Sequence, residues 1–88
     1  MKTEIEIRGF INADPTVRTI CGLRSEGLDK WCYLIETTFD TFPRYVVGRT
    51  NGKEAWIIVS TGALWTAAQH FEDLTCRPQF ENPNPKTQ

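Results

Sequence analysis

The stretch Glu54–Leu74 changes its apolar period part-way along, and that change constrains the fold more than any other feature of the chain. Trp56, Ile57, Ile58 and Val59 are apolar at consecutive positions. In a strand, where side chains alternate, such a run puts apolar groups on both faces and predicts a buried strand with a neighbour on each side. Beyond it, Leu64, Ala67 or Ala68, Phe71 and Leu74 recur at steps of three and four. That spacing gathers them on one side of a helix, with Ser60 or Thr61 as the N-cap hydroxyl. Burying Leu64, Phe71 and Leu74 against a sheet contributes roughly 1.5–3 kcal/mol each. A helix this short is marginal alone in water, so docking must stabilise it.

The strand has a partner before it. Asn51-Gly52 stands between two strand-like runs, and this dipeptide is the best able to take the positive φ values of a two-residue hairpin turn. Arg44–Arg49 is therefore antiparallel to Ala55–Val59. Upstream, Trp31–Phe39 is rich in aromatic and β-branched residues and apolar on both faces at its start, which predicts a central strand, with Asp40–Pro43 as the next reversal. Glu4–Ile11 alternates polar and apolar residues and reads as a half-exposed strand with Ile5, Ile7 and Ile11 inward. Asn12–Pro15 is a turn into a second strand, Thr16–Cys21, so the first two strands form a hairpin. Gly22–Lys30, with two glycines and no sustained period, reads as a loop. The predicted fold is α+β: a five-stranded, mostly antiparallel meander sheet with one C-terminal helix packed on one face. Residues 1–76 form the single domain, and the Pro-rich residues 77–88 form an extended or disordered tail.

Charge and cysteine usage narrow the setting. The 88 residues carry a formal net charge of −1, which supplies no broad field for nucleic acid or an anionic membrane. No apolar run approaches the ~20 residues of a membrane span, and the first residues lack the apolar core of a signal peptide, so the expected location is cytoplasmic, away from membranes. Three cysteines are an odd number without close spacing, as expected of reduced thiols. Cys21 and Cys32 lie in apolar strand-like surroundings and read as small core residues; Cys76 reads as accessible.

Catalytic signatures are missing. His70, the single histidine, falls off the Leu64/Phe71 stripe and reads as a solvated helix residue near Asp73. The spacing of Cys21, Cys32, His70 and Cys76 matches no zinc pattern, and Gly48, Gly52 and Gly62 do not form a phosphate loop. A Cys76–His70 nucleophile pair would lack an orienting group and an oxyanion cradle. The expectation is a non-enzyme without cofactor or metal.

Three Trp, two Tyr and five Phe exceed what one thin core can cover, which predicts exposed aromatic surface. The candidate binding residues are Trp31, Tyr33, Arg44, Tyr45, Arg49, Lys53 and Trp56. With one helix shielding one sheet face, the other face needs a cover, either a second copy in a homodimer or another protein. The expected function is therefore a small protein–protein interaction module, an accessory or inhibitory protein acting on a larger complex, of the kind that phages and mobile elements encode. The alternative is a single-stranded nucleic-acid binder that stacks bases on these aromatics while Arg44, Arg49 and Lys53 track phosphates. Salt separates the two, since only the second weakens steeply as ionic strength rises.

Overall fold

The computed structural model describes residues 1–38 and 44–76. Among them the order is α1 (Glu4–Asn12), β1 (Val17–Gly27), β2 (Lys30–Thr37), β3 (Arg44–Thr50), β4 (Ala55–Thr61) and α2 (Leu64–Cys76). The four strands form one antiparallel meander in the order β1-β2-β3-β4. The α+β class and the antiparallel sheet agree with the sequence reading. Five strands with one helix become four strands with two.

The first element is where the sequence reading fails. Glu4–Asn12 is a helix and not the first strand of a hairpin, because its ends and its buried pair both favour helix. Thr3 caps it: its hydroxyl accepts from the Glu6 amide at 3.2 Å, and the Glu6 carboxylate accepts from the Thr3 amide at 2.8 Å. This reciprocal capping box satisfies two amides that a helix start would otherwise leave open. Ile7 and Ile11, one helical turn apart, are the buried residues, while Ile5 is 82 % exposed. Only the helical period explains that split.

Downstream, Gly22–Lys30 is not a loop. The strand β1 continues to Gly27, and Leu28-Asp29 alone make the reversal, with Asp29 at φ 54°. Asp tolerates that left-handed conformation better than most residues. Its carboxylate also accepts from the Lys2 amide at 2.7 Å, tying the entry of α1 to this turn.

The β3–β4 hairpin is present as expected, but its turn differs. Thr50 pairs with Ala55, so four residues connect the strands, and among them Gly52 takes positive φ (88°). Asn51 contributes its side chain instead, its Oδ1 accepting from the amides of Lys53 (2.8 Å) and Glu54 (2.9 Å). Buried Thr50 completes the turn by donating its hydroxyl to the Glu54 carbonyl at 2.6 Å.

The strand β2 is central, and both of its faces are covered. On one face Trp31, Tyr33 and Ile35 pack with Val46 beneath Ile7 and Ile11 of α1. On the other, Cys32 and Leu34 pack with Val47 beneath Ala67 and Phe71 of α2. The helix α2 starts at Leu64, later than the predicted Ser60-Thr61 cap. The Thr61 hydroxyl instead accepts from the Ala63 amide, closing a local turn ahead of the helix. The Ala67/Phe71 stripe is inward as expected, with Ala68 and Leu74 partly buried beside it, whereas Leu64 is 47 % exposed. Phe71 lies over Gly22, where a Cβ would stand 3.1 Å from its ring, and the Arg24 guanidinium sits 5.7 Å from the ring centroid. Cys32 is a core residue, as the sequence implied, but Cys21 is exposed, because it lies on the sheet's outer strand β1.

Among the described residues no helix is long and apolar enough to cross a membrane. The expected reversal at Asp40–Pro43, the tail 77–88 and the accessibility of the Cys76 thiol lie outside what the structure describes.

Candidate interaction surface

The strand β4 is the second correction. The sequence reading gave it neighbours on both sides, yet among the described residues it closes the sheet as an edge strand, paired with β3 alone. Its apolar run is largely in the open: Trp56 is 51 %, Ile57 68 % and Ile58 44 % exposed. The reason is positional. An apolar strand is covered on both faces only where helices reach it: α1 contacts chiefly β1, and α2 reaches β4 at Val59 while leaving Trp56, Ile57 and Ile58 open. Leu64 and Trp65, in the first turn of α2, add 47 % and 77 % exposure only two residues after the end of β4.

The opposite edge is built differently. Register shifts interrupt the pairing of β1 at three places, and Arg18, Arg24 and Glu26 lie along it. Bulges and charges of this kind twist an edge away and penalise a foreign strand. The strand β4 carries one irregularity, at Ile58, which the pairing with β3 skips, and no charged residue or proline from Ala55 to Thr61.

The seven residues singled out from sequence are dispersed. Trp31, Arg49 and Trp56 line one cleft of about 540 Å³ at the end of the sheet that holds both hairpin turns. Trp31 itself is buried in the α1-side core. On the cleft wall Arg49 Nε donates to Glu26 Oε1 at 2.7 Å, a bond that holds the guanidinium above its ordinary pKa, so its charge is matched within the chain. Tyr33 is only 4 % exposed, lies in the core and lines a separate cavity of about 150 Å³ beneath α1. Tyr45 is half-buried against the α2-side core, Arg44 is exposed at the other end of β3, and Lys53 is exposed on the β3–β4 turn. A row of stacking rings flanked by cations is therefore not assembled from these residues.

Trp65 and Leu64 were missed. The available signal was Trp65 itself, a large apolar side chain off the Ala67/Phe71 stripe of an amphipathic helix, where the helical period puts it in water.

Among the described residues, three groups that can lose a proton to become an anion have raised pKa values. Burial, with a smaller contribution from Glu26, pushes the Cys32 thiol up to about 11, and burial also raises Cys21 and Tyr33. Each shift favours the neutral form, the reverse of what a nucleophilic thiolate needs. His70 is exposed on α2. Among the described residues no group of His, Cys, Asp and Glu side chains could hold a metal ion.

No protein-family model, curated protein or solved structure matches the chain.

Proposed function

We propose that this chain is a non-catalytic protein-interaction module that docks an extended, uncharged polypeptide strand along the free edge of β4. The observation that carries this reading is the contrast between the two edges of one sheet. The edge at β1 is broken and charged, and the edge at β4 is apolar and uncharged. An exposed apolar edge strand offers unpaired backbone donors and acceptors to any strand that reaches it, and natural domains normally blunt or cover such edges. Trp56 and Trp65 bracket the edge with the large aromatic surface that anchors interfaces. An accessory role, in which a small module modulates a larger complex, follows from binding without chemistry. The nucleic-acid reading draws less support, since Trp31 and Tyr33 are buried and Arg49 is paired with Glu26.

A capture experiment tests the edge directly. A tagged chain is recovered from cells that also express an untagged copy, with nuclease and in moderate salt, in parallel with Ile57→Lys and, as a control at an exposed turn residue, Leu28→Lys. The expected result is a stoichiometric protein held by wild type and Leu28→Lys and lost with Ile57→Lys. Equal capture by all three, or recovery of nucleic acid that disappears with nuclease, contradicts the reading.

A further inference from the structure

We infer that the strand docking on β4 is β4 of a second copy, paired antiparallel about a two-fold axis to give one continuous eight-stranded sheet. The inference rests on the docking-edge reading above and assigns its partner.

Electrostatics comes first. From Ala55 to Phe71 the sequence carries no Asp, Glu, Lys or Arg. Two copies of β4 can therefore meet without opposing like charges, the usual obstacle to pairing a strand with itself. The net charge of −1 adds little repulsion between whole chains.

Closure comes second. Pairing β4 of one copy with β1 of the next would be head-to-tail and would propagate into a filament. The three register shifts and the charged residues of β1 oppose that contact, whereas the isologous β4–β4 contact, which closes on itself, meets one irregularity, at Ile58, and no charge. A seven-residue uncharged strand without proline is also an aggregation hazard if left open, and every chain brings its own cover in a dimer.

Area comes third. With a whole aliphatic or aromatic side chain counted at about 200–250 Å², Trp56, Ile57, Ile58, Leu64 and Trp65 expose roughly 600 Å² per copy. A standard interface takes about 800 Å² from each partner; successive side chains of β4 point to opposite faces, so edge pairing covers part of this apolar surface together with the strand backbone, a contact at the small end of the range.

The test uses the purified full-length chain in sedimentation experiments from about 1 to 200 µM, the range in which mass action separates monomer from a micromolar dimer. Wild type is expected at twice the 10.1 kDa of one chain. Ile57 is 68 % exposed, so Ile57→Lys and Ile57→Glu should keep the wild-type circular dichroism. Each variant alone should dimerise at least about tenfold more weakly, since two-fold pairing sets like charges opposite or diagonal to one another. Mixing them should restore association by about threefold or more over either alone, because unlike charges then face each other. Only a symmetric pairing of β4 with itself gives that rescue. Wild type at single-chain mass throughout, or a mixture no tighter than its components, overturns the inference. If single-chain mass is accompanied by Ile57-dependent capture of a different protein, the edge reading stands and the partner assignment fails; if no capture depends on Ile57, both fail.

Discussion

Replacing Gly48 by Ala probes the join that holds β4 on the sheet. Gly48 lies on β3, opposite Tyr33 of β2 and Ile57 of β4. A Cβ there would fall 2.7 Å from Tyr33 Cζ and 2.5 Å from its hydroxyl oxygen, and closer still to the Trp56 carbonyl oxygen. Ordinary van der Waals contact begins near 3.4 Å, so Tyr33 would have to retreat by close to an ångström. Tyr33 is 4 % exposed beneath α1 and borders a small cavity there, but the Trp56 carbonyl belongs to the backbone of β4 and cannot turn aside. Overpacking of this kind costs about 1–3 kcal/mol. The smaller backbone entropy of alanine in the unfolded chain offsets about 0.4–1 kcal/mol of it. The expected net loss is about 1–2 kcal/mol, which for a domain of this size lowers Tm by roughly 4–15 °C. Gly9→Ala is the matched control. Gly9 sits in the middle of α1 with nothing within 4 Å of its Cβ position, so alanine there should stabilise by about 0.5–1 kcal/mol through helix propensity. Urea denaturation followed by circular dichroism reads both, with unchanged m-values. A Gly48→Ala variant as stable as wild type, or a shift of the same sign for both substitutions, would refute the close approach of Tyr33 to β3.

Other substitutions follow from the same packing. Phe71→Ala removes the ring that covers Gly22 and meets Arg24, and should cost about 3–5 kcal/mol, enough to abolish or severely depress the cooperative thermal transition. Thr3→Ala removes the hydroxyl half of the α1 capping box and should cost about 1 kcal/mol, read as a lower urea midpoint; an unchanged midpoint would mean that α1 gains nothing from its cap. Alkaline titration should expose Cys32. Its folded-state pKa, raised by burial to about 11, lies above the ordinary 9.0, so the folded chain holds this proton more tightly than the unfolded chain. The contribution of Cys32 is then constant below pH 9 and falls as pH rises from 9 towards 11. Cys32→Ala should reduce that slope, leaving the part that Cys21 contributes from pH 9 and Tyr33 from pH 10, both also raised by burial; a slope unaffected by the substitution would show that the Cys32 thiol is not a group responsible.

Much of the sheet was legible in the sequence because its signals are local. Asn51-Gly52 marked the β3–β4 hairpin, the aromatic and β-branched run from Trp31 marked the central strand, and the period of Ala67, Phe71 and Leu74 marked the inward face of α2. The misreading of Glu4–Ile11 has a definite cause: Ile5, Ile7 and Ile11 satisfy a two-residue alternation, while Ile7 and Ile11 also satisfy a helical turn. What separates the two periods is Thr3-x-x-Glu6, a capping box that reports on the backbone directly and that the alternation alone leaves unread. Strand length at β1 was lost because its two glycines suggested a loop; Gly22 lies within the strand under the Phe71 ring, and Gly27 adjoins the turn.

Burial of β4 could not be read from its apolar run, since exposure depends on which strand ends the sheet and where the helices stop. The candidate site shows the same limit. Alternation puts Trp31 and Tyr33 on one face of β2, but only the presence of α1 buries that face, and α1 was read as a strand. Arg49 looked like a phosphate contact until β1 extended far enough to bring Glu26 beside it.

The most direct measurement of the docking edge is residue-resolved amide hydrogen exchange on the chain alone as the Ile57→Lys variant and on the wild-type chain in the complex it forms. Edge amides that face solvent exchange quickly, and those that gain a strand partner slow by orders of magnitude. If β4 is the docking edge, its outward amides are protected in the complex and open in the variant, while the outward amides of β1 exchange alike in both. Outward β4 amides that exchange equally fast in both states, or protection that develops along β1 instead, would contradict it.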